Sequence, residues 1–443
     1  MKKSLITAVE KRNGETVPFD SERIIFAIYK AAASVGGTNM RRARRLSERV
    51  VMTAEDRFDS GSIPTVESIQ DIIEEVLITG GHVKTARAFI VYRENRRTAR
   101  AQATGSSRAP HGPTPYRTMW DTLAWNVQHG TFSIDGLNDL IKTNSMDRVI
   151  RDSEARFDQE LEAVADQIFS KRGDVKLVIV AGPSSSGKTT TTNRISEKLR
   201  ARGLELVAIN VDNYFRSLEY QPQDVTGDYD YETPEAIDLP LLNDHLVKLL
   251  GGKRIDSPIF DFHAGRRTAE TIPMKLGRNQ VALLDTLHGL YKGLTTKIPE
   301  EVKYKVYIEA LAQTLDQDGA WIRWTDVRLL RRMARDKVHR NVTPDQTLNH
   351  WHYVRRSEKK HIIPYVGDAD FVLNGTFPYE IPLYRPLLLS HLEAYLRTGG
   401  GPVDGRERAE RVCRFLSRVQ PLSDSTAIPG NSVVREFIGG SIY

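Results

Sequence analysis

A pattern that could bind phosphate lies near the middle of the 443-residue chain. Residues 182–189 have the sequence GPSSSGKT, which fits G-x-x-x-x-G-K-[ST], and the apolar run 177–181 precedes them. Glycines let backbone N–H groups curl round an anion, and Lys188 can reach the β- and γ-phosphates of ATP. The pattern therefore predicts a nucleotide site, against the alternative of a chance match in a loop rich in serine and glycine. The expected ATP contacts are Gly182, Pro183, Ser184, Ser185, Ser186, Gly187, Lys188, Thr189 and Thr190.

Two aspartates follow apolar runs that are typical of strands. Asp212 comes after LVAINV, where a carboxylate beside the phosphate loop could take a proton from an acceptor hydroxyl that attacks the γ-phosphate. Asp285 ends the run VALLD and, with the hydroxyl of Thr189, could hold Mg²⁺ or its waters. Each aspartate alone could instead cap a helix. Together they favour phosphoryl transfer.

An arginine-rich stretch, DVRLLRRMARD, begins at Asp326. Its arginines recur at spacings of three and four, so one helix face presents several guanidinium groups. Such a face could close over the triphosphate as a lid, stabilise the transferred charge and exclude water. A solvated helix with salt bridges is the alternative. The expected catalytic residues are Asp212, Lys188, Arg328, Arg331 and Arg335.

The elements that must position these residues alternate between strand and helix. Apolar runs LVIVA, LVAINV, VALLD, KVYIEA and ADFVLNG are separated by helical stretches at 190–203 and 239–250. This alternation predicts an α/β fold, a parallel sheet flanked by helices, in which ligands bind at the carboxyl ends of the strands.

The first hundred residues have a different pattern. Asn13 and Gly14 mark the turn of a β-hairpin, and helical patterns follow at 21–34, 41–59, 65–77 and 83–97. Residues 98–115 have the composition of a linker, and 116–172 are helical again. We predict a mostly α-helical front domain at 1–97, a linker at 98–115, a helical bridge at 116–172, the α/β domain at 173–390 and a C-terminal helical extension at 391–443.

Composition limits the classes of function. There is no apolar run of 18 residues and no secretory signal, and Cys413 is the only cysteine, so we expect a cytoplasmic protein without a membrane span. The net charge of +6 arises from 63 basic and 57 acidic residues, a small excess for this length. Nucleic acid is therefore an unlikely partner, because no stacking-aromatic or recognition-helix pattern accompanies the charge.

The front domain resembles the ATP-cone, a regulatory nucleotide-binding domain. The resemblance depends on the hairpin VEKRNG at 9–14, on FD leading into RI at 19–24, and on ARAFIVYR at 86–93. It implies that the Lys-Arg pair of the hairpin contacts a triphosphate, with ATP or dATP as the effector. The alternative is that the pair are ordinary exposed charges. The expected effector site is Val9, Lys11, Arg12, Asn13 and Gly14.

Residues 175–388 resemble the uridine kinase and phosphoribulokinase family of P-loop kinases. The matching stretches are GPSSSGKTT, DNYF, YETPEAID, PIFDF, LLDTLHGL and the arginine-rich lid, all in the order that the family has them. The resemblance implies that Asp212 is the base, that Glu232 lies where the family holds a ribose, and that Asp285 lies near Mg²⁺. The expected acceptor contacts are Asp212, Tyr214, Glu232, Phe260, Arg267 and Arg328.

The chain departs from uridine kinases where they contact the base. Those enzymes have Tyr-Asp-Phe followed by a histidine three residues on, whereas this chain has Phe260 and, at the histidine position, Gly265, although His263 is close. Asp285 also replaces the usual glutamate. We predict an ATP- and Mg²⁺-dependent kinase of a nucleoside or similar metabolite, regulated at the ATP-cone and, by analogy, a homo-oligomer. The alternatives are a kinase of a sugar phosphate or glycerate type and a P-loop nucleotide sensor without kinase activity.

Overall fold

The structure, a computed structural model, describes residues 6–11, 16–58, 63–104, 114–223, 229–262, 264–340, 342–398 and 401–443, with only the backbone described for 94–104. It divides the chain into two compact units, 1–120 and 121–443. Arg12, Asn13 and Gly14 of the expected effector site, and His263, lie outside the described residues.

The first unit is a β-hairpin followed by helices, as predicted. Strands β1 (Ala8–Glu10) and β2 (Thr16–Pro18) pair antiparallel, with Val9 opposite Val17. Asp20, Asn39 and Thr65 each accept a backbone N–H bond as the N-cap of one of the first three helices. The four helices are α1 (Ser21–Ala33), α2 (Met40–Arg57), α3 (Val66–Thr79) and α4 (Val83–Thr104), so residues 98–104 of the expected linker are helical.

The second unit has helices near both of its chain ends and helices that cover its sheet. Helix α5 (Tyr116–Gln128) contains the boundary between the units, and the rest of the second unit follows it. The other helices are α6 (Ile134–Lys142), α7 (Met146–Ser170), α8 (Lys188–Ala201), α9 (Leu239–Leu250), α10 (Trp324–Arg335), α11 (Pro344–Ser357), α12 (Glu380–Thr398), α13 (Val403–Leu416) and α14 (Arg435–Ile438).

The centre of the second unit is the predicted parallel sheet. Five strands pair in the order β4-β7-β3-β8-β9, all parallel, and a separate antiparallel hairpin is formed by β5 and β6. The strands are β3 (Leu177–Ala181), β4 (Glu205–Ile209), β5 (Ile255–Asp261), β6 (Arg266–Met274), β7 (Gln280–Thr286), β8 (Lys303–Glu309) and β9 (Phe371–Asn374).

Both faces of the sheet are buried under helices. One face packs on α7 and α8, through residues such as Phe157 and Ile195, and residues 428–437 near the C-terminus join the same core. The other face packs on α9 through Leu242 and Leu246. The stretches expected as a helical bridge and a C-terminal extension thus contribute to the core of this unit. Among the described residues, none of the helices is both long and apolar enough to span a bilayer.

Parallel pairing brings the functional loops to one edge. Strand β3 lies between β7 and β8, with Val180 opposite both Asp285 and Val306. The phosphate loop leaves the carboxyl end of β3, and residues 210–216 leave that of β4. The residues predicted to do chemistry therefore meet where a parallel sheet binds ligands.

Candidate active site

The phosphate loop has the backbone that an anion site requires. Gly187 caps α8 with φ of 95°, and Ser185 has φ of 60°, both in the left-handed region. A Cβ on Gly182 would lie 2.3 Å from the backbone oxygen of Ile308. These positions let the chain curl tightly between β3 and the N-terminus of α8.

Unpartnered hydroxyls line the same loop. The Oγ atoms of Ser185 and Ser186 are buried and have no hydrogen-bond partner within the described part of the chain. Lys188 donates from Nζ to the backbone oxygen of Pro183 at 3.2 Å, and burial lowers the pKa of its ammonium group. Buried polar groups are normally satisfied, so these donors fit a phosphate ligand.

Asp212 lies within the reach of the Lys188 charge. It belongs to a short 3₁₀ turn, residues 211–214, in which its own N–H donates to the side chain of Asn210 at 3.1 Å. Burial raises the pKa of the Asp212 carboxyl, and the positive charges of Lys188 and Arg340 partly oppose this rise. A carboxylate with a raised pKa beside a phosphate loop is a stronger base than an exposed one.

Asp285 and Thr189 fit the predicted metal site. Burial raises the pKa of the Asp285 carboxyl, with the charge of Lys188 acting against the rise, and the side chain of Thr189 is exposed at the start of α8. The described residues include no group of three or more acidic, histidine or cysteine side chains that could hold a metal ion alone. Mg²⁺ in nucleotide sites takes only one or two protein ligands, together with phosphates and waters, and the donor set here suits that pattern.

Two of the four lid arginines lie beneath the loop. Arg328 and Arg331 are fully buried, and Arg328 donates to the backbone oxygen of Ser184 at 3.0 Å. Arg328 pairs with Glu358 and, at 2.6 Å, with Glu309. The structure thus corrects the prediction that these arginines belong to a lid, because their guanidinium groups are already bonded to carboxylates and loop carbonyls. The contacts of Arg331 are with Glu380 at 2.7 Å and with the backbone oxygens of Ser185, Ser186 and Gly375.

The other two arginines of α10 are nearer to the surface of the loop. Arg332 donates to the hydroxyl of Ser184 at 2.9 Å and pairs with Asp336 at 2.7 Å. The Nε atom of Arg335 is buried and has no hydrogen-bond partner among the described residues. Burial and the neighbouring Arg340 and Arg332 lower the pKa of Arg335 to about 10. A buried guanidinium donor without a partner costs free energy, so the Nε atom of Arg335 suits an anionic ligand.

The residues expected to contact the acceptor have different surroundings in the structure. The side chain of Tyr214 is fully buried and its hydroxyl is 2.9 Å from Nδ1 of His245, which corrects the prediction that it contacts the acceptor. Arg267 donates to the backbone oxygen of Tyr214 at 2.9 Å and pairs with Asp238 at 3.2 Å. Arg267 thus fixes the turn that carries Asp212.

Aromatic rings gather beside that turn. Phe215 lies 5.8 Å from Phe260, 5.9 Å from Phe262 and 6.2 Å from Tyr231, measured between ring centroids. Phe260 is buried and donates its N–H to the side chain of Asn213, whereas Phe262 and Tyr231 are exposed. We call these four rings the aromatic cluster. They form an apolar surface next to the predicted base.

Glu232 and His288 lie close to the same place. Burial raises the pKa of the Glu232 carboxyl, against the charges of Arg332 and Lys188. His288 is buried, its Nδ1 has no partner in the part of the chain that the structure describes, and burial lowers its pKa to about 3. His288 is thus a neutral ring near the phosphate loop.

Several residues of the site were missed from the sequence. Glu309, which pairs with Arg328, ends β8, so the strand-end rule that found Asp285 also applies to it. Glu358 and Glu380 carry no such signal, because only the folded chain shows that they face buried arginines.

The first unit has a candidate effector site of its own. A cavity of about 330 Å³ is lined by Val9 and Lys11 of the hairpin and by residues of α1, α3 and α4. Arg93, which also lines it, pairs with Glu67, Asp71 and Glu74 at 2.6 to 2.8 Å. Burial raises the pKa of Glu74 to about 7; Arg93 opposes this rise, and the charges of Asp71 and Glu67 add to it.

Comparison with protein families gives two matches. Residues 7–98 match the model described as ATP cone domain, and residues 177–376 match the model described as Phosphoribulokinase / Uridine kinase family. The boundaries agree with the hairpin-and-helix unit and with the sheet of the second unit.

Individual relatives are similar to this chain over about half of its length. A uridine kinase of Deinococcus deserti is 33% identical over 195 residues, which are 44% of this chain and 84% of that protein. A uridine kinase of Borrelia turicatae is 31% identical over 230 residues, 51% of this chain and 96% of that protein.

Solved structures are similar at lower identity. A possible uridine kinase from Bacillus stearothermophilus has a TM-score of 0.34 at 16% identity and covers 50% of this chain and 99% of its own. A putative fructose transport system kinase from Silicibacter has a TM-score of 0.32 at 17% identity, with 48% and 98% covered. The family assignment does not depend on these structures. With an ATP-cone domain at its front, the chain belongs to the phosphoribulokinase and uridine kinase family of P-loop kinases.

Proposed function

We propose that this protein is an ATP- and Mg²⁺-dependent kinase that transfers the γ-phosphate to a hydroxyl of a nucleoside, of the uridine or cytidine kind. The observation that carries the proposal is that Asp212 and the loop of Lys188 follow the carboxyl ends of two strands of one parallel sheet, within range of each other's charge. In this arrangement Lys188 neutralises the phosphates, while Asp212 accepts the proton of the attacking hydroxyl.

The phosphate side of the reaction uses the loop and the cations around it. Backbone N–H groups of the loop and the hydroxyls of Ser185 and Ser186 hold the triphosphate, and Arg335 stabilises the charge that develops on the transferred group. Thr189 and Asp285 would hold Mg²⁺, which would supply positive charge to the triphosphate.

The aromatic cluster supports a nucleoside as the acceptor. A pyrimidine offers a flat ring that can stack on Phe262 or Tyr231, whose rings are exposed beside the turn of Asp212. Glu232 can accept hydrogen bonds from ribose hydroxyls when its carboxylate is ionised. The positive charges of Arg332 and Lys188 favour that ionised form. The relatives named uridine kinase point in the same direction.

A different observation favours a phosphorylated acceptor. A cavity of about 520 Å³ between α10 and α11 is lined by Arg332, Arg340 and His350, among others. Arg332 also contacts Ser184 of the phosphate loop, so the cavity adjoins the site. Arg332 and Arg340 share the carboxylate of Asp336, and their other guanidinium donors suit the phosphate of a sugar phosphate, which is the second candidate for the acceptor.

Regulation at the ATP-cone completes the proposal. The cavity beside Lys11 has the size and the cation expected of a nucleotide site, and occupancy by ATP or dATP would alter turnover at the kinase site. ATP-cones often act through assembly, so we expect a homo-oligomer.

The deciding experiment is a screen of acceptors. Purified protein is given ATP, Mg²⁺ and one candidate at a time, with nucleosides in one panel and sugar phosphates in the other, and ADP release is measured with and without dATP. The nucleoside proposal predicts turnover with a pyrimidine nucleoside and none with sugar phosphates. The reverse result would establish the second candidate, and ADP release that no acceptor increases would indicate a nucleotide sensor.

A further inference from the structure

The C-terminal segment 428–438 packs against the phosphate loop. Val433 is so close to Gly187 that a Cβ on the glycine would lie 2.3 Å from its side chain. The ring centroid of Phe437 lies 5.0 Å from the guanidinium group of Arg331, and both residues are fully buried. This segment lies outside residues 177–376, so the family match assigns it no part in the site.

One charged side chain of the segment faces the nucleotide site. Glu436 accepts a hydrogen bond from the Thr190 hydroxyl at 3.0 Å, in the first turn of α8. Its other oxygen lies 3.6 Å from Nη1 of Arg335. Glu436 therefore joins two groups that the site uses: a residue of the phosphate loop and the arginine whose Nε has no partner among the described residues.

The carboxylate does not fill the place of a phosphate. Glu436 is bonded to a side-chain hydroxyl, while the buried hydroxyls of Ser185 and Ser186 remain without a partner within the described ranges. It also engages only one edge of the Arg335 guanidinium, which leaves Nε free for an incoming anion. An arginine held at one edge loses less side-chain entropy when it binds phosphate at the other.

We propose that Glu436 is a positioning residue of the nucleotide site, which holds Arg335 against the first turn of α8 in the orientation that receives the triphosphate. The C-terminal segment is then a working part of the kinase site. This inference takes from the proposed function only that ATP binds at the phosphate loop. It does not depend on which acceptor the kinase uses.

The test compares Glu436→Ala and Glu436→Gln with the parent protein. We expect Glu436→Ala to weaken ATP binding about tenfold, measured directly without acceptor, because the carboxylate that holds Arg335 in its binding orientation is lost. Glu436→Gln keeps the bond to Thr190 but loses the charge that holds Arg335, so its effect is intermediate. With an acceptor present, we expect the KM for ATP to rise more in Glu436→Ala than in Glu436→Gln. The KM for the acceptor should not change.

A double-mutant cycle shows whether Glu436 acts through Arg335. In the background of Arg335→Ala, the further change Glu436→Ala should cost less than twofold, because the interaction is already absent. A matched control is Glu197→Gln, which removes a carboxylate on α8 that accepts from the hydroxyl of Tyr443, at 2.9 Å, away from the loop. This control should bind ATP as the parent does.

The outcomes separate the inference from its rivals. Three results would each refute the positioning role. The first is unchanged ATP binding in both Glu436 variants, and the second is an equal loss of ATP affinity with and without Arg335. The third is a loss of ATP affinity that Glu197→Gln shares. Tighter ATP binding in Glu436→Gln would show that the carboxylate competes with phosphate, and would also refute it. Should Glu436→Ala fail to fold, Glu436→Gln alone decides. Failure of the acceptor screen would leave these binding measurements intact, so the two proposals fail separately.

Discussion

In the proposed mechanism, Asp212 must be ionised before it can accept a proton from the acceptor. Its carboxyl is buried, which raises its pKa, and the nearby ammonium group of Lys188 limits that rise. The raised pKa makes the carboxylate a stronger base at neutral pH. It also raises, towards neutrality, the pH below which the carboxylate is protonated and inactive. If Asp212 is the base, its burial affects both the strength of that base and the acid limit of the proposed reaction.

Asp212→Asn should separate nucleotide binding from transfer. The amide keeps the size of the carboxylate and cannot take a proton, so we expect ATP affinity to change little and kcat to fall by about 10² to 10⁴. In the parent protein, kcat/KM for the acceptor should fall as pH drops through the raised pKa of Asp212, and the residual activity of the variant should lack this acid limb. ATP binding and initial rates across pH check both points.

Lys188→Ala is the contrasting variant, because it removes a phosphate contact and should lose both ATP binding and turnover. Transfer that survives unaltered in Asp212→Asn, or an acid limb that persists in it, would show that another group is the base.

At the scale of elements, buried ion pairs support the phosphate loop from below. Helix α10 inserts Arg328 and Arg331 beneath the loop, where carboxylates of β8, α12 and the turn after α11 neutralise them. Their remaining N–H groups donate to the backbone carbonyls of Ser184 and Ser186 in the loop. The strained loop conformation thus depends on elements that are far apart in sequence.

Removing the charge of Glu380 tests this support. Glu380→Gln leaves Arg331 buried with an incomplete partner, so we expect the free energy of unfolding to fall by about 3 to 5 kcal/mol. A matched control is Glu162→Gln, which breaks a more exposed pairing with Lys198 and Arg202 and should cost about 0 to 1 kcal/mol. Denaturant unfolding of the full chain gives both values, and equal costs would contradict a structural role for the buried pair.

The sequence predicted the elements better than their environments. The hairpin, the parallel strands and the phosphate loop follow from local patterns, and Asp285 was found because strand ends share one edge. The spacing in α10 shows that Arg328 and Arg331 lie on one helix face, but only tertiary packing decides that this face is buried. Glu436 has no local signal, because its role depends on a C-terminal segment that returns to the loop.

At the scale of the whole molecule, the chain combines two units, each with a candidate nucleotide site. One cavity lies beside Lys11 in the first unit, and the phosphate loop lies in the second. If the effector changes the affinity of the kinase site for ATP, ATP at that site must change the affinity for the effector by the same factor. Regulation can therefore be detected by binding alone, before the acceptor is known.

Lys11→Ala should uncouple the two sites. The cation lines the effector cavity, so its loss should reduce the nucleotides bound per chain from about two to about one and remove the response of turnover to dATP. Equilibrium binding gives the stoichiometry, and rates with and without dATP give the response. Lys84→Ala, which removes an exposed cation of α4 that does not line the cavity, is the control and should behave as the parent does. If both variants keep two nucleotides and the same response, the effector does not bind beside Lys11, and the ATP-cone regulates through other residues or not at all.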